Sequence, residues 1–469
     1  MKTEDFVNFY TRLSFEERAL ARQLLVKKGI GFSSLPITRR PHDTPHLALS
    51  FAQQRLWFLE QLDGGTAVYN IALAMRLKGR LDVGALGRAL NDVVARHEVL
   101  RTTFRMSGDA PVQIVVPALE LPLPSSDLST LPDAEREAAA VRLTQDAAAA
   151  PFDLAAGPLV RAGLIRLADT DHIVSFTLHH AVSDGWSAGV LFNEVAALYE
   201  AHVQGLPSPL PPLPIQYADF AHWQRQWLAG EVLERQLAYW TGQLADAPAV
   251  LALPTDRPRP RVQNHRGATL RFGMPAATLA GLHALGRQGG ATLFMVLAAA
   301  FHVLLARCSN QRDICIGTPV ANRNRPEIEP LIGCFVNTLV LRNRADPGAS
   351  FGELLQQVRA TALQAYAHQD VAFEQIVESL KLERNVGHTP LFQVMLVLQN
   401  ITLGTLELPG LTMQPMHADN ATAKFDLMLT LIEEADRLDA AFEYSTDLFD
   451  GATIERMAGY FRRLLDEIV

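Results

Sequence analysis

A proline-rich segment divides this chain into two halves. Five of the ten residues from Leu206 to Ile215 are proline. Each proline fixes its own φ angle and lacks a backbone N–H, so the segment favours a stiff, extended conformation over a helix or a central strand. With 469 residues, the chain is also about twice the usual size of one domain. The sequence therefore predicts two packed units, one on each side of the prolines.

Both halves mix helical and strand patterns. Residues 82–104 place apolar side chains at helical spacing and end in a β-branched run, and residues 157–167 and 172–180 are two Val/Ile/Leu-rich runs separated by a polar turn. In the second half, residues 292–309 form an almost wholly apolar helical pattern, which has to be buried on nearly every side. These patterns predict an α+β fold in which a sheet is backed by helices in each half.

The domain boundaries follow from the same patterns. Residues 1–45 are predicted to be a helical leader and linker, because a short helical periodicity is followed by a stretch rich in Pro, Ser and Arg. Residues 46–212 are predicted to be the first domain and residues 213–469 the second.

Composition excludes several classes of function. The 42 Lys and Arg against 50 Asp and Glu give a net charge of −8, which leaves no positive excess for a phosphate backbone. No apolar run reaches the ~20 residues of a membrane span, and the charged N-terminus does not resemble a signal peptide, so we expect a cytoplasmic protein. Cys308, Cys315 and Cys334 show no CxxC spacing and are interpreted as core residues. We expect no metal and no intrinsic cofactor.

The segment from His179 to Gly185 carries the strongest chemical signal. It contains two histidines, an aspartate and a glycine where a strand pattern changes to a helix pattern. Strand alternation places His180 on the same face as Phe176 and Leu178, and desolvation there favours the neutral imidazole that a general base requires. His180 is therefore the predicted base.

The neighbouring residues suggest supporting roles. Asp184 is suited to pair with a cation that fixes the loop, and Gly185 allows the backbone to approach a substrate without a Cβ in the way. No GxSxG, HExxH or Gly-rich phosphate loop accompanies the segment, so covalent, zincin and nucleotide chemistry lack support. The pattern favours an incoming nucleophile that attacks a thioester or ester directly.

From about Ser50 onward the chain resembles the condensation domains of nonribosomal peptide synthetases, within the chloramphenicol-acetyltransferase-like superfamily. The segments that carry the resemblance occur in the family's order and are Ser50–Trp57, Arg96–Phe104, His179–Ser187, Tyr217–Trp223, Ile332–Thr338, His368–Glu374 and a degenerate Arg384–Asn385.

This resemblance implies two acetyltransferase-like lobes that form a V-shaped pseudodimer, with the active site on a tunnel between them. It assigns catalytic positions to His180, His179, Asp184 and Gly185, with His180 orienting or deprotonating the acceptor amine. Asp184 is expected to pair with Arg96 or Arg101, which the sequence alone does not separate.

Four further residues receive roles by the same resemblance. Asn337 is expected to lie on a bridging segment of the second lobe that supports the site. Trp186, Ser187 and Ala188 are expected to contact substrate. Ala188 departs from the family pattern, in which a larger residue such as Met or Arg is common, and its small side chain is expected to widen the channel beside the catalytic loop or to remove a charge.

The resemblance predicts an acyltransferase that forms an amide from a thioester donor and an amine acceptor. Because only a short leader precedes the domain, the preferred subtype is a starter domain of lipopeptide biosynthesis, which transfers a fatty acyl group from acyl-CoA to a carrier-bound amino acid. An elongation domain with an aminoacyl or peptidyl donor is the alternative. The expected partners are acyl-CoA and a downstream carrier protein and adenylation domain, with substrates delivered on phosphopantetheine or as acyl-CoA.

Other members of the superfamily fit less well. Epimerisation domains use an additional glutamate for which no segment is found here, heterocyclisation domains replace the histidine motif with aspartates, and the DFGWG segment of plant-type members is absent. A non-catalytic module that binds carrier proteins is a further alternative, although such modules typically lose the second histidine or the aspartate, and this chain has both.

Overall fold

The computed structural model describes residues 10, 13, 17–18, 21, 36–41, 44, 46–344, 346, 348–382, 387–399, 405–408, 410–416 and 422–469. Most of the predicted helical leader and the degenerate segment Arg384–Asn385 lie outside the described residues.

The described part contains fifteen strands and eleven α-helices that can be bounded. The strands are β1 (Leu47–Ala48), β2 (Asn70–Gly79), β3 (Thr102–Ser107), β4 (Ala110–Val115), β5 (Ser125–Asp127), β6 (Val160–Ala168), β7 (Asp171–His179), β8 (Gly267–Pro275), β9 (Asp313–Val320), β10 (Asn337–Arg344), β11 (Val394–Gln399), β12 (Leu406–Leu408), β13 (Leu411–Met416), β14 (Leu427–Glu433) and β15 (Arg437–Ser445). The helices are α1 (Phe51–Asp63), α2 (Val83–Arg96), α3 (Asp133–Ala149), α4 (Gly185–Gln204), α5 (Tyr217–Trp227), α6 (Gly230–Gln243), α7 (Ala276–Gly289), α8 (Leu293–Ser309), α9 (Phe351–Ala367), α10 (Phe373–Ser379) and α11 (Gly451–Ile468).

The chain folds into two compact units. The first comprises Met1–Val232, Arg323–Phe335 and Leu403–Ala418, and the second comprises the remaining residues. The first unit therefore extends past the proline-rich segment and includes two segments from the second half of the sequence. Local sequence patterns do not show that these segments belong to the first unit, because the contacts that place them there join residues far apart in the chain.

The first unit is built on a six-stranded sheet with the order β12-β13-β2-β7-β6-β5, together with a small sheet β1-β4-β3. The predicted hairpin is confirmed as the antiparallel pair β6–β7. β13 adds antiparallel to β2, although more than 300 residues separate the two strands along the chain. Helix α2 buries Leu86, Leu90, Val93 and Val94, the face that the periodicity predicts.

The second unit contains a six-stranded sheet with the order β10-β9-β11-β14-β15-β8. β11 runs parallel to β9 and β14, and the other neighbours are antiparallel. Helix α8 is buried along most of its length, as its apolar sequence predicts. Together the two units confirm a mixed fold with one major sheet in each.

No single helix in the described part of the chain is both long and apolar enough to span a bilayer. Ala276–Gly289 and Leu293–Ser309 meet that length and composition only as a pair, which is bent by 102°.

A substitution at Gly79 tests how β13 pairs with the first sheet. Its φ angle is +128°, and an added Cβ would lie 2.0 Å from the carbonyl oxygen of Gly410, in the turn before β13. We expect Gly79→Ala to lower the free energy of unfolding by about 1–3 kcal/mol, since it adds both backbone strain and a steric clash. Chemical denaturation measures this change, and amide hydrogen exchange in β13 locates it. Gly87→Ala in α2, where an added Cβ meets open space, is the matched control and is expected to preserve stability or raise it. Equal effects of the two substitutions would contradict the assignment.

The buried His302 is expected to make the stability of the second unit depend on pH. Burial lowers its pKa to about 3, and its Nε2 lies 3.1 Å from Nδ2 of Asn343, which donates to the neutral ring. The unfolded state binds the proton more readily, so stability falls as the pH drops below about 6.5 toward 3. Between pH 6.5 and 5 this residue is expected to contribute a loss of about 2 kcal/mol. Denaturation curves of the wild type and His302→Gln across this range measure the contribution, and parallel pH profiles for the two proteins would refute it.

Candidate active site

The predicted junction of strand and helix is present in the first unit. β7 ends at His179, a 3₁₀ turn covers His180–Val182, and α4 begins at Gly185. Asp184 is the N-cap of α4, and its side chain accepts a hydrogen bond from the backbone N–H of Ser187. One of the orphan donors in the first turn of the helix is thus satisfied by the motif aspartate itself.

The two motif histidines have different environments. His179 is 1% exposed, and its Nδ1 accepts a hydrogen bond from the backbone N–H of Ala181 at 3.1 Å. The rings of Tyr69 and Phe152 pack against it edge-on at centroid distances of 6.4 and 6.2 Å. Because Nδ1 is an acceptor, the proton of the neutral ring resides on Nε2. His179 is thus buried against two aromatic rings, and the catalytic position expected for it remains a prediction.

His180 begins the 3₁₀ turn and is half-buried. The prediction that it extends the apolar face of β7 is wrong, because the strand ends one residue earlier and the alternation stops there. Its backbone N–H donates to the carbonyl of Tyr69 at 2.8 Å. Its Nδ1 lies 3.6 Å from Sγ of Cys334. Of the two histidines, His180 is the one with surface accessible to a substrate.

A buried ion pair fixes the turn. Arg323 Nη2 lies 3.1 Å from Asp184 Oδ1, and both side chains are at most 3% exposed. Asp184 Oδ2 accepts from the backbone N–H of Phe335 at 2.9 Å. One carboxylate therefore joins the start of α4, a guanidinium and the backbone of a second segment.

The prediction that Asp184 pairs with Arg96 or Arg101 is wrong. Arg96 Nε donates to Glu194 on α4 at 2.9 Å, and Arg101 Nη1 donates to the carbonyl of Val116. Each arginine is thus engaged by a group other than the motif aspartate. Arg323 lies 139 residues after Asp184 in a segment without a recognisable periodicity, so no local sequence signal identifies it.

Arg323 is held by several further contacts. Its Nη1 donates to the carbonyls of Ile328 and Leu331 at 2.6 and 2.7 Å, and its guanidinium carbon lies 4.1 Å from the ring centroid of Phe335. Burial lowers the pKa of Arg323 from its usual value, and the negative charge of Asp184 opposes that shift. Since a guanidinium does not deprotonate in proteins, the pair remains ionic.

Ser187 connects the ion pair to the backbone of Gly333. Its fully buried hydroxyl accepts from the Gly333 N–H at 3.0 Å and from Arg323 Nη2 at 2.9 Å. Its single proton lies between Asp184 Oδ1 at 2.7 Å and the Gly333 carbonyl at 2.9 Å. These bonds occupy the one donor and both acceptor positions of the hydroxyl. Ser187 was expected to contact substrate, and we interpret it instead as a positioning residue.

Gly333 is required by close packing. A Cβ at this position would lie 2.0 Å from Cδ2 of Tyr217. The hydroxyl of Tyr217 lies 2.6 Å from the Cys334 carbonyl, which accepts its proton, and 2.7 Å from Ser50 Oγ. Burial raises the pKa of Tyr217 well above its usual value, so it acts here as a neutral hydrogen-bond donor.

The remaining predicted residues of the first unit lie on the first turn of α4. Gly185 is exposed, and no atom lies within 4 Å of an added Cβ, so its backbone is accessible to a ligand. Trp186 is half-buried, and its Nε1 donates to the carbonyl of Glu329 at 3.0 Å. Ala188 is 4% exposed. The substrate contacts expected of Trp186 and Ala188 remain predictions.

Asn337 belongs to the second unit, and the support of the site expected from it remains a prediction. It is the first residue of β10 in the sheet of the second unit, and its Nδ2 donates to the carbonyls of Gln369 and Val371 at 2.7 Å each. The side chain thus stabilises a loop of its own unit. Arg323–Phe335 and Leu403–Ala418, which belong to the first unit, lie on either side of Asn337 in the sequence.

The described residues include no group of three or more His, Cys, Asp or Glu side chains arranged to hold a metal ion.

A family profile described as the Condensation domain matches residues 44–469. The chain belongs to this family of nonribosomal peptide synthetase domains. One polypeptide of the linear gramicidin synthase of Brevibacillus parabrevis is 49% identical to this chain over 447 residues. The matched region covers 95% of this chain and 6% of that protein. The chain therefore spans only a small part of such a relative.

Solved structures confirm the fold class. The condensation domain is similar to the X-domain from teicoplanin biosynthesis in its complex with OxyB, with a TM-score of 0.83, 30% identity and coverage of 92% of this chain and 95% of that one. It is also similar to a four-domain nonribosomal peptide synthetase bound to AMP and glycine, with a TM-score of 0.81, 25% identity and coverage of 90% of this chain and 33% of that one.

The ion pair provides a test of the site's architecture. We expect Asp184→Asn or Arg323→Met to lower the free energy of unfolding by about 3–5 kcal/mol, because either change leaves a buried charge without its partner. The double variant is expected to lose less than the sum of the two, which a double-mutant cycle by chemical denaturation measures. Arg166→Met, which breaks the exposed pairs with Asp127 and Asp169, serves as the control and should leave the unfolding midpoint unchanged. Additive losses at Asp184 and Arg323 would show that the two side chains are not coupled.

Proposed function

We propose that this chain is an amide-forming condensation domain that joins a carrier-bound aminoacyl or peptidyl thioester to the amine of a carrier-bound amino acid. The observation that carries the proposal is the contrast within the histidine motif. His179 is buried in packing, whereas His180 is half-buried just beyond the end of a strand, in the turn that the neighbouring ion pair fixes. A substrate therefore meets one imidazole of the pair.

The chemistry follows from that placement. The acceptor nitrogen attacks the thioester carbon, a C–N bond forms, the C–S bond breaks, and the amine proton passes by way of His180 to the departing thiolate. Exposed backbone at Gly185, at the positive end of α4, is suited to stabilise the negative charge that develops on the carbonyl oxygen. Orientation of two bound substrates supplies much of the remaining rate enhancement.

The comparisons support a carrier-bound donor. The part of the linear gramicidin synthase polypeptide that resembles this chain is 6% of a much longer protein, and the four-domain synthetase likewise contains its similar segment among other domains. Donor and acceptor would then be delivered on phosphopantetheine by carrier domains, with an adenylation domain loading the acceptor. On this basis we propose carrier-bound substrates and the elongation class, in place of the starter class that the sequence predicts.

The test is a reconstitution. The purified chain is incubated with an aminoacyl carrier as acceptor and with either an aminoacyl carrier or an acyl-CoA as donor, and the carrier-bound products are identified by mass spectrometry. A dipeptidyl product supports the elongation class. An N-acyl product formed only from acyl-CoA overturns that class in favour of the starter class, and isotope washout at Cα without a gain in mass indicates epimerisation.

His180 supplies the matched variants. We expect His180→Ala to lower the rate of product formation by about 10² to 10⁴, the range typical for loss of a general base. His46→Ala removes an exposed histidine of the same unit and should leave the rate unchanged. Turnover that survives in His180→Ala at the wild-type rate would rule out a catalytic role for this residue.

A second candidate is a binding module without turnover. The similarity to the X-domain in its complex with OxyB favours it. This function predicts that the folded wild type forms no product from either donor but binds a loaded carrier or a second enzyme, as measured by calorimetry. Any turnover that depends on His180 excludes it.

A further inference from the structure

A thiol lies against the imidazole of the predicted base. Sγ of Cys334 is 3.6 Å from Nδ1 of His180, which is within hydrogen-bond range for sulfur. Cys334 is 2% exposed and was interpreted from the sequence as an ordinary core residue. The contact joins two segments that are 154 residues apart in the chain.

The backbone of Cys334 is held from both sides. Its carbonyl accepts from the buried hydroxyl of Tyr217 at 2.6 Å, and the next backbone N–H, that of Phe335, donates to Asp184 at 2.9 Å. A cysteine side chain has one rotatable bond between its Cα and its sulfur. Fixing the backbone therefore leaves the thiol few alternative positions.

The histidine is anchored independently. The backbone N–H of His180 donates at 2.8 Å to the carbonyl of Tyr69, which is the residue that precedes β2. Both partners of the contact between sulfur and nitrogen are thus positioned by main-chain bonds. The contact is a consequence of the architecture that the Asp184–Arg323 pair holds together.

Which ring nitrogen carries the proton decides what His180 does. A neutral imidazole has one N–H and one lone pair, and the partner of one nitrogen sets the state of the other. If Nδ1–H donates to Sγ, the lone pair is on Nε2, where an acceptor amine can use it. His179 shows the opposite arrangement, because its Nδ1 accepts from the backbone N–H of Ala181.

We propose that Cys334 is a positioning residue that holds His180 in the tautomer with the proton on Nδ1 and the lone pair on Nε2. The proposal rests on the function proposed above, since it explains how His180 would be kept ready to act as a base. The thiol does not touch substrate in this scheme and acts only through the imidazole.

The variants separate this role from simple packing. Cys334→Ala removes the acceptor, whereas Cys334→Ser replaces it with a hydroxyl that also accepts from Nδ1–H. Cys315→Ala removes a buried thiol from the core of the second unit and is the matched control. Thermal melting confirms that each variant is folded before it is compared.

The first measurement needs no turnover. Nitrogen NMR of protein labelled at histidine, with the His180 signals assigned from His180→Gln, reports which ring nitrogen is protonated. We expect the Nδ1–H form in the wild type and in Cys334→Ser, and a shift toward the Nε2–H form in Cys334→Ala. Observation of the Nε2–H form in the wild type overturns the proposal, and it does so whether or not the chain turns over.

The second measurement is kinetic. In the reconstituted assay, Cys334→Ala is expected to lower kcat roughly three- to tenfold with little change in KM, which is the effect of losing one orienting hydrogen bond. Cys334→Ser is expected to recover most of that loss, and Cys315→Ala is expected to match the wild type. Equal kcat values for Cys334→Ala and the wild type overturn the proposal. Absence of turnover in the wild type refutes the proposed function alone, because the NMR result still decides the tautomer.

Discussion

The ion pair between Asp184 and Arg323 is the interaction on which the rest of the site depends. Both side chains are almost completely buried, so each requires the other to compensate its charge. The same carboxylate caps α4 and accepts from the backbone of Phe335, and the guanidinium binds two carbonyls of its own segment. The turn that carries the two histidines and the segment Arg323–Phe335 are therefore positioned by one shared set of bonds.

Two adjacent histidines beside that set of bonds have different environments. His179 is the last residue of a strand and packs against aromatic rings, whereas His180 follows the end of the strand and contacts the buried thiol of Cys334. The chemistry proposed for this family member thus depends on where a strand ends, and on the capped helix that follows immediately.

Much of the fold could be predicted from local patterns. The buried face of α2, the hairpin β6–β7 and the buried helix α8 follow from side-chain periodicity, which depends on backbone geometry alone. The addition of β13 to β2 could not be predicted in this way, since strand pairing across more than 300 residues leaves no periodic signal. Arg323 was missed for the same reason, because 139 residues separate it from Asp184, whereas Arg96 and Arg101 were expected from the family resemblance.

The sequence by itself determined the α+β class, the family, and the position of the histidine motif between a strand and a helix, because these depend on residues that are neighbours in the chain. Only the tertiary structure decided which arginine neutralises Asp184, which histidine is accessible, and that a cysteine lies beside it. Those outcomes depend on distances between side chains that lie far apart in the sequence, and packing selects them only when the whole unit has formed.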